Sequence, residues 1–292
     1  MRAQRSEMQF NGALMSHSKI AIVTGVSAGL GAGIAEVFCR SGIKVIGMAR
    51  RNQPDAVLVE AIAAEGGDFE YVQGDVSVAA DCTRAVERCL EKHGRIDVLI
   101  NNAAIAGVPP FLSIEDVPES TLNAVMGVNL NGAFFMAQRV LPIMKQQRDG
   151  VIINIASVNG VFGTAKFAPY NASKAALIHL SHTLATEGAP YNIRSNSIIL
   201  GSVRTEMNEV AEIAIAQAAA RTQAQPTPEQ LTKHTRSWME PVEVARAIEL
   251  LCRPEARLIT GADIAIDGGI SAGVMATYAQ RVASKRLFDT PV

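Results

Sequence analysis

The sequence predicts an α/β protein with a doubly wound parallel sheet flanked by helices. Three observations carry that prediction. Short apolar runs rich in β-branched residues alternate along the chain with stretches of helical periodicity, the pattern of a parallel sheet covered on both faces. The first run ends in a glycine cluster, Gly25-Val26-Ser27-Ala28-Gly29-Leu30-Gly31. Small or polar residues also gather where successive runs end, the edge at which open α/β sheets bind ligands.

Composition agrees with this class. The 292 residues are 48% hydrophobic and 19% charged, with a formal net charge of −1, which is enough apolar material for a sizeable core. No basic run exceeds Arg50-Arg51, so a nucleic-acid partner is not expected. No apolar run reaches the ~18 residues of a membrane helix, so no membrane partner is expected either. Cys39, Cys82, Cys89 and Cys252 lack metal or disulfide spacing and are expected to be buried thiols in a reducing cytoplasm, with no metal site. Residues 1–17 are expected to form a flexible tail, 18–270 a single domain, and 271–292 a C-terminal extension making surface or subunit contact.

The first strand spans residues 19–24 and leads through the glycine cluster into a helix. That unit sets a phosphate on a helix N-terminus, and glycine lets the backbone turn sharply and approach it. The spacing is Gly-x-x-x-Gly-x-Gly, not the Gly-x-Gly-x-x-Gly of the common dinucleotide fingerprint. The second strand, 44–49, ends at Ala49, followed by Arg50 and Arg51. An acid there would bind ribose hydroxyls and repel a 2′-phosphate, whereas Arg grips one, so NADP(H) is favoured over NAD(H). The alternative is two solvated arginines before a turn. A helix over 55–65 precedes the third strand, 69–73, which ends in Gly74-Asp75-Val76. Asp75 either accepts from an adenine amino group or caps the helix over 78–92.

The fourth strand, 96–100, runs into Asn101-Asn102-Ala103-Ala104. Small residues there let a cofactor lie against the backbone, and the asparagines can tie neighbouring strands. The long helical region ending near 147 contains Val128-Asn129-Leu130-Asn131-Gly132. Asn and Gly are unfavourable inside a helix, which marks a kink or site, or a plain helix defect. The fifth strand, 151–156, delivers Ser157; a helix bearing Tyr170-Asn171-Ala172-Ser173-Lys174 follows. The sixth strand, 193–199, ends in Leu200-Gly201-Ser202-Val203-Arg204-Thr205. Residues 204–239 are less regular and read as a substrate loop, or as a helix packed on the sheet. A helix over 242–251 and a strand over 263–266 complete the sheet.

Tyr170 and Lys174 are four residues apart and share a helix face. A phenol titrates at about 10. An ammonium about 4 Å away contributes on the order of 4 kcal/mol at an effective dielectric near 20. That is about three pKa units, enough to make the phenol a proton donor and acceptor near neutrality. The same pair also occurs on ordinary helix surfaces.

Taken together, these motifs resemble the classical short-chain dehydrogenase/reductase family over residues 18–270. They are Thr24-Gly25-x3-Gly29-x-Gly31, Asn101-Asn102-Ala103, Asn129, Ser157, Tyr170-x3-Lys174 and the Gly201…Thr205 turn. Three positions depart from the family pattern. Ala104 replaces a glycine, Leu200 a proline, and Ala28 the basic residue of many NADP-preferring members. The resemblance implies a single-domain Rossmann-like fold, usually a homo-oligomer (tetramer or dimer), acting on a small-molecule alcohol or ketone. It implies that Tyr170 exchanges the proton and Ser157 binds the substrate oxygen. Lys174 would lower the Tyr170 pKa, and Asn129 would position Lys174. The dinucleotide would be held by Gly25, Ser27, Gly29, Leu30, Gly31, Arg50, Arg51, Asp75, Val76, Asn102, Ala103, Val203 and Thr205, with Tyr170 and Lys174. Two rival activities are a ketoreductase acting on carrier-bound acyl chains, for which Arg148 stands before the fifth strand, and a non-catalytic NADP(H)-sensing module.

Overall fold

The computed structural model describes residues 18–107, 112–205 and 239–272. The expected tail, most of the expected substrate loop and most of the C-terminal extension lie outside the described residues. The strands are β1 (Ile20–Thr24), β2 (Lys44–Ala49), β3 (Phe69–Gln73), β4 (Val98–Asn101), β5 (Gly150–Ile155), β6 (Ile193–Leu200) and β7 (Asp263–Ile266). They form one sheet in the order β3-β2-β1-β4-β5-β6-β7. Every pairing is parallel. The order reverses between β1 and β4, and a crevice opens there at the carboxyl ends.

The helices are α1 (Gly29–Arg40), α2 (Ala56–Ala64), α3 (Ala79–His93), α4 (Glu119–Met126), α5 (Gly132–Gln147), α6 (Ala168–Gly188) and α7 (Pro241–Leu251). Side chains alternate across a strand, so each buried strand feeds two cores. Ala21, Val23, Val45, Ile100 and Ile153 pack with Ile34 and Phe38 of α1, Leu58 of α2 and Ile248 of α7. Ile20, Ile22, Ile46, Leu99 and Ile152 pack on the other face with Val86 of α3, Met136 and Met144 of α5 and Leu184 of α6. Two cations secure the carboxyl end of α7, where the helix dipole favours positive charge. Lys19 Nζ donates to the Cys252 carbonyl, and the buried Arg194 donates to the Leu251 carbonyl at 2.7 Å. All four cysteines are free and buried, and burial raises every thiol, to about 11 for Cys82 and about 12 for the other three. No helix among the described residues is long and apolar enough to cross a membrane.

The helix irregularity expected at Asn129 is present. Between α4 and α5 the chain makes a π-helical turn, Gly127–Asn131, with Asn129 buried inside it. Such single wide turns often accompany functional sites.

Two polar ties join β1 to β4. At the amino end, the buried Asp97 accepts from the Ile20 N–H at 2.8 Å and from Arg95 at 2.6 Å. At the carboxyl end, the buried Thr24 Oγ1 accepts from the N–H groups of Asn102 and Ala103 at 3.0 and 3.1 Å. It also donates to the Ile100 carbonyl at 3.3 Å. Thr24→Val keeps the shape and leaves these groups unpaired in a dry site. The expected loss is about 2–3 kcal/mol in urea denaturation, with weaker dinucleotide binding measured on the same samples.

Candidate active site

The glycine turn after β1 is pressed against the turn after β4. A Cβ on Gly31 would stand 2.2 Å from the Gly25 carbonyl oxygen, and one on Gly25 would stand 2.9 Å from the Ala103 Cα. Asn102 Nδ2 locks the arrangement by donating to the Thr24 carbonyl at 2.8 Å. α1 starts without a side-chain cap or an acid in its first turn, which leaves its first N–H groups for an anion.

These residues line one cavity of about 720 Å³ at the carboxyl edge of the sheet. Of the sequence-predicted set, Gly25, Ser27, Gly29, Leu30, Gly31, Arg50, Arg51, Asp75, Val76, Asn102, Ala103, Ser157, Tyr170, Lys174, Val203 and Thr205 all reach it. The close backbone approach, the uncapped N–H groups and the flanking arginines fit a dinucleotide with its phosphates on α1. Asp75 closes a turn ahead of α3: Oδ1 accepts from the Ser77 N–H at 2.8 Å and from the Ser77 hydroxyl at 2.7 Å.

Asn129 does not line the cavity. Its Oδ1 accepts from the Ile105 N–H at 2.8 Å, and its Nδ2 donates to the Ile105 carbonyl at 2.9 Å and to Ser173 Oγ at 3.0 Å. It therefore bridges the segment after β4 to α6 and has no direct bond to Lys174. The sequence spacing missed this partnership because it depends on the π-helical turn.

Ser157 follows β5 and accepts the Asn159 N–H on its Oγ at 3.2 Å, so its own hydroxyl proton is available to the cavity. Tyr170 lies in the first turn of α6, and Lys174 one turn later is 2% exposed. Lys174 Nζ donates to the Ile155 carbonyl at 2.6 Å and stands 5.6 Å from the centre of the Tyr170 ring. The expected lowering of the Tyr170 pKa by Lys174 is not what this geometry gives. Burial raises the phenol, with the neighbouring Ser157 hydroxyl pulling it back. Burial also pushes Lys174 down to about 7, so its ammonium is a weak field source at neutral pH.

The cavity has further walls that the motif reading did not single out: Met48, Val158, Asn159, Thr164 and Phe167. Asn159 carried one signal, its place two residues after Ser157 on a strand-end turn.

A family model described as short chain dehydrogenase matches residues 19–214. An uncharacterised oxidoreductase of Thermotoga maritima is 34% identical over 260 residues, covering 87% of this chain and 98% of that protein. A 3-oxoacyl-[acyl-carrier-protein] reductase of the same organism is 34% identical over 253 residues, covering 86% of this chain and 97% of that protein. The solved structure of a levodione reductase, 27% identical, superposes with a TM-score of 0.80 over 87% of this chain and 98% of that one. Sequence match, strand order and the shared fold lead to one assignment: the chain belongs to the short-chain dehydrogenase/reductase family of oxidoreductases.

Proposed function

We propose that the protein interconverts a secondary alcohol and a ketone, with NADP(H) preferred over NAD(H). The observation that carries this reading is the meeting of Ser157, Tyr170 and Lys174 in the same cavity as the uncapped glycine turn. When bound, a nicotinamide dinucleotide supplies or accepts the hydride. Tyr170 Oη gives its proton to the carbonyl oxygen, or takes one from the alcohol. Its raised pKa keeps the phenol protonated through neutrality, the form needed to act as an acid. Ser157 donates to the same substrate oxygen and stabilises the negative charge that grows there. Lys174 is anchored on Ile155, with donors left over for the ribose beside the reacting ring. Asn129 acts at a distance, holding the Ile105 backbone and Ser173 in place.

The preference for NADP(H) rests on Arg50 and Arg51, both exposed beside the cavity. β3 fixes the backbone that carries them. Tyr71 Oη donates to the Arg51 carbonyl at 2.6 Å, and Gln73 Nε2 donates to the Arg50 carbonyl at 3.2 Å and to Asn52 Oδ1 at 2.7 Å. No acid occupies the end of β2 to repel a 2′-phosphate.

The carrier-protein alternative draws little support from Arg148, which does not line the cavity. Arg148 precedes β5 at the amino edge of the sheet, whereas Ser157 follows its carboxyl end. At about 3.3 Å per residue, the strand separates them by roughly 20 Å. The Arg148 guanidinium instead donates to the Pro190 carbonyl at 3.3 Å. The sensing module has no use for Ser157 and Tyr170 converging on one point.

Three measurements test the reading. A panel of ketones should oxidise NADPH, and Tyr170→Phe should lower kcat by at least about 100-fold with the cofactor Kd almost unchanged; near wild-type turnover in that variant would sink the assignment. Arg50→Ala combined with Arg51→Ala should raise the KM for NADPH about 10-fold or more, with NADH unaffected. Lys174→Met should abolish most turnover yet stabilise the cofactor-free chain. The folded-state pKa of Lys174, about 7, lies below its ordinary 10.5, so the unfolded chain holds more protons between those values and the burial penalty is complete below pH 7. Thermal denaturation should show the variant more stable by about 1–3 kcal/mol at pH 6, with the difference shrinking as pH rises toward 10.

A further inference from the structure

One polar side chain of the cavity takes no part in the chemistry above. Asn159 stands on the short 3-10 turn Val158–Gly160, half-buried, and lines the cavity with Ser157, Thr164, Phe167 and Tyr170. It is held from three directions. Its N–H donates to Ser157 Oγ at 3.2 Å. Gly160 seats the turn on α6, where a Cβ would come within 2.8 Å of the Lys174 carbonyl carbon. Thr164 Oγ1 donates to Asn159 Oδ1 at 3.2 Å. Thr164 is itself fixed, because its carbonyl accepts from Asn171 Nδ2 at 2.8 Å. Asn171 adjoins Tyr170, so the Asn159 amide is tied to the helical turn that carries the acid–base group.

That tie uses the amide oxygen. The Asn159 Nδ2 hydrogens have no partner among the described residues, and they belong to a residue whose backbone touches the Ser157 hydroxyl. A substrate whose reacting oxygen meets Ser157 and Tyr170 therefore passes an amide donor within one side chain's reach. A second carbonyl or hydroxyl oxygen on a neighbouring carbon would pair with it. A simple alkyl ketone would leave the donor unpaired, and sites built to hydrogen-bond a substrate group discriminate strongly against ligands that lack it.

We propose that Asn159 is a specificity-determining residue, and that the substrates are vicinally oxygenated carbonyl compounds, either diketones or hydroxyketones. One carbonyl is reduced to the alcohol, and the second oxygen is bound without changing. The proposal rests on the alcohol–ketone reading above and narrows it.

The test is kcat/KM with NADPH for butanedione and butanone in wild type, Asn159→Leu, Asn159→Asp and Thr164→Val. A diketone is intrinsically more electrophilic, so the readout is each variant relative to wild type on the same substrate, where intrinsic reactivity cancels. Asn159→Leu is expected to lose about 10- to 100-fold on butanedione and less than about threefold on butanone. Asn159→Asp should behave likewise on butanedione, because a carboxylate has no N–H to offer. Thr164→Val, which frees the amide to rotate, should fall between. Equal losses on both substrates would overturn the proposal, as would an Asn159→Asp variant that keeps wild-type discrimination. Should Asn159→Leu fail to fold, the other two variants carry the comparison. Turnover of butanone with unchanged variant ratios overturns this proposal alone. A wild-type enzyme that reduces no carbonyl compound, whatever its oxygenation, overturns the underlying reading with it.

Discussion

The cavity depends on one side chain, the Thr24 hydroxyl. Strand order reverses between β1 and β4, and without a lateral tie the two turns leaving those strands would splay apart. Thr24 Oγ1 gathers the N–H groups of Asn102 and Ala103, and Asn102 returns a bond to the Thr24 carbonyl. With the two turns joined, the glycines face a backbone that leaves no space for a side chain. A cofactor lying there meets main chain on both sides, and its position is set before it arrives.

At the other end of the cavity the governing fact is the dryness of Lys174. An amine held on a main-chain carbonyl, away from water, has a conditional charge. Its usefulness is positional first: it marks where α6 meets β5, and it carries unspent donors. Stability and function pull against each other at this point, as they do wherever a polar group is buried for what it does with a ligand. Asn129 and Ser173 add rigidity nearby without entering the reaction space.

How much of this was legible in the sequence differs by level. The strands at the centre of the sheet, β1, β4 and β5, were readable because both faces are buried, which writes them as apolar runs such as Val151-Ile152-Ile153. The site residues were readable because they fall where those runs stop. Less legible were partnerships made through main chain. Nothing in the sequence marks the Ile155 carbonyl as the seat of Lys174, whose amine is anchored there at 2.6 Å with its nitrogen 5.6 Å from the centre of the Tyr170 ring. Asp75 had two open roles; its Oδ1 closes a turn with Ser77 ahead of α3, whose N-cap at Val78 takes no side-chain bond, so the capping role is not made. Arg148 stands before β5 as the sequence order has it, and the parallel direction of the sheet puts that position at the amino edge, outside the cavity lining.

The π-helical turn at Gly127–Asn131 has a consequence for the helices on either side of it. Each α-helical residue advances the chain by about 100° around the axis. A wide turn absorbs one extra residue, so the apolar stripe of α5 is rotated by about that angle from the line that α4 would continue. Val125 can then face the interior while Met136, Val140 and Met144 still meet the sheet. The same offset turns Asn129 inward. Shortening this segment by one residue would break the phase between the two helices, and either the core stripe or the inward asparagine would be lost. The polar bridge and the hydrophobic packing are thus two readings of a single angular displacement.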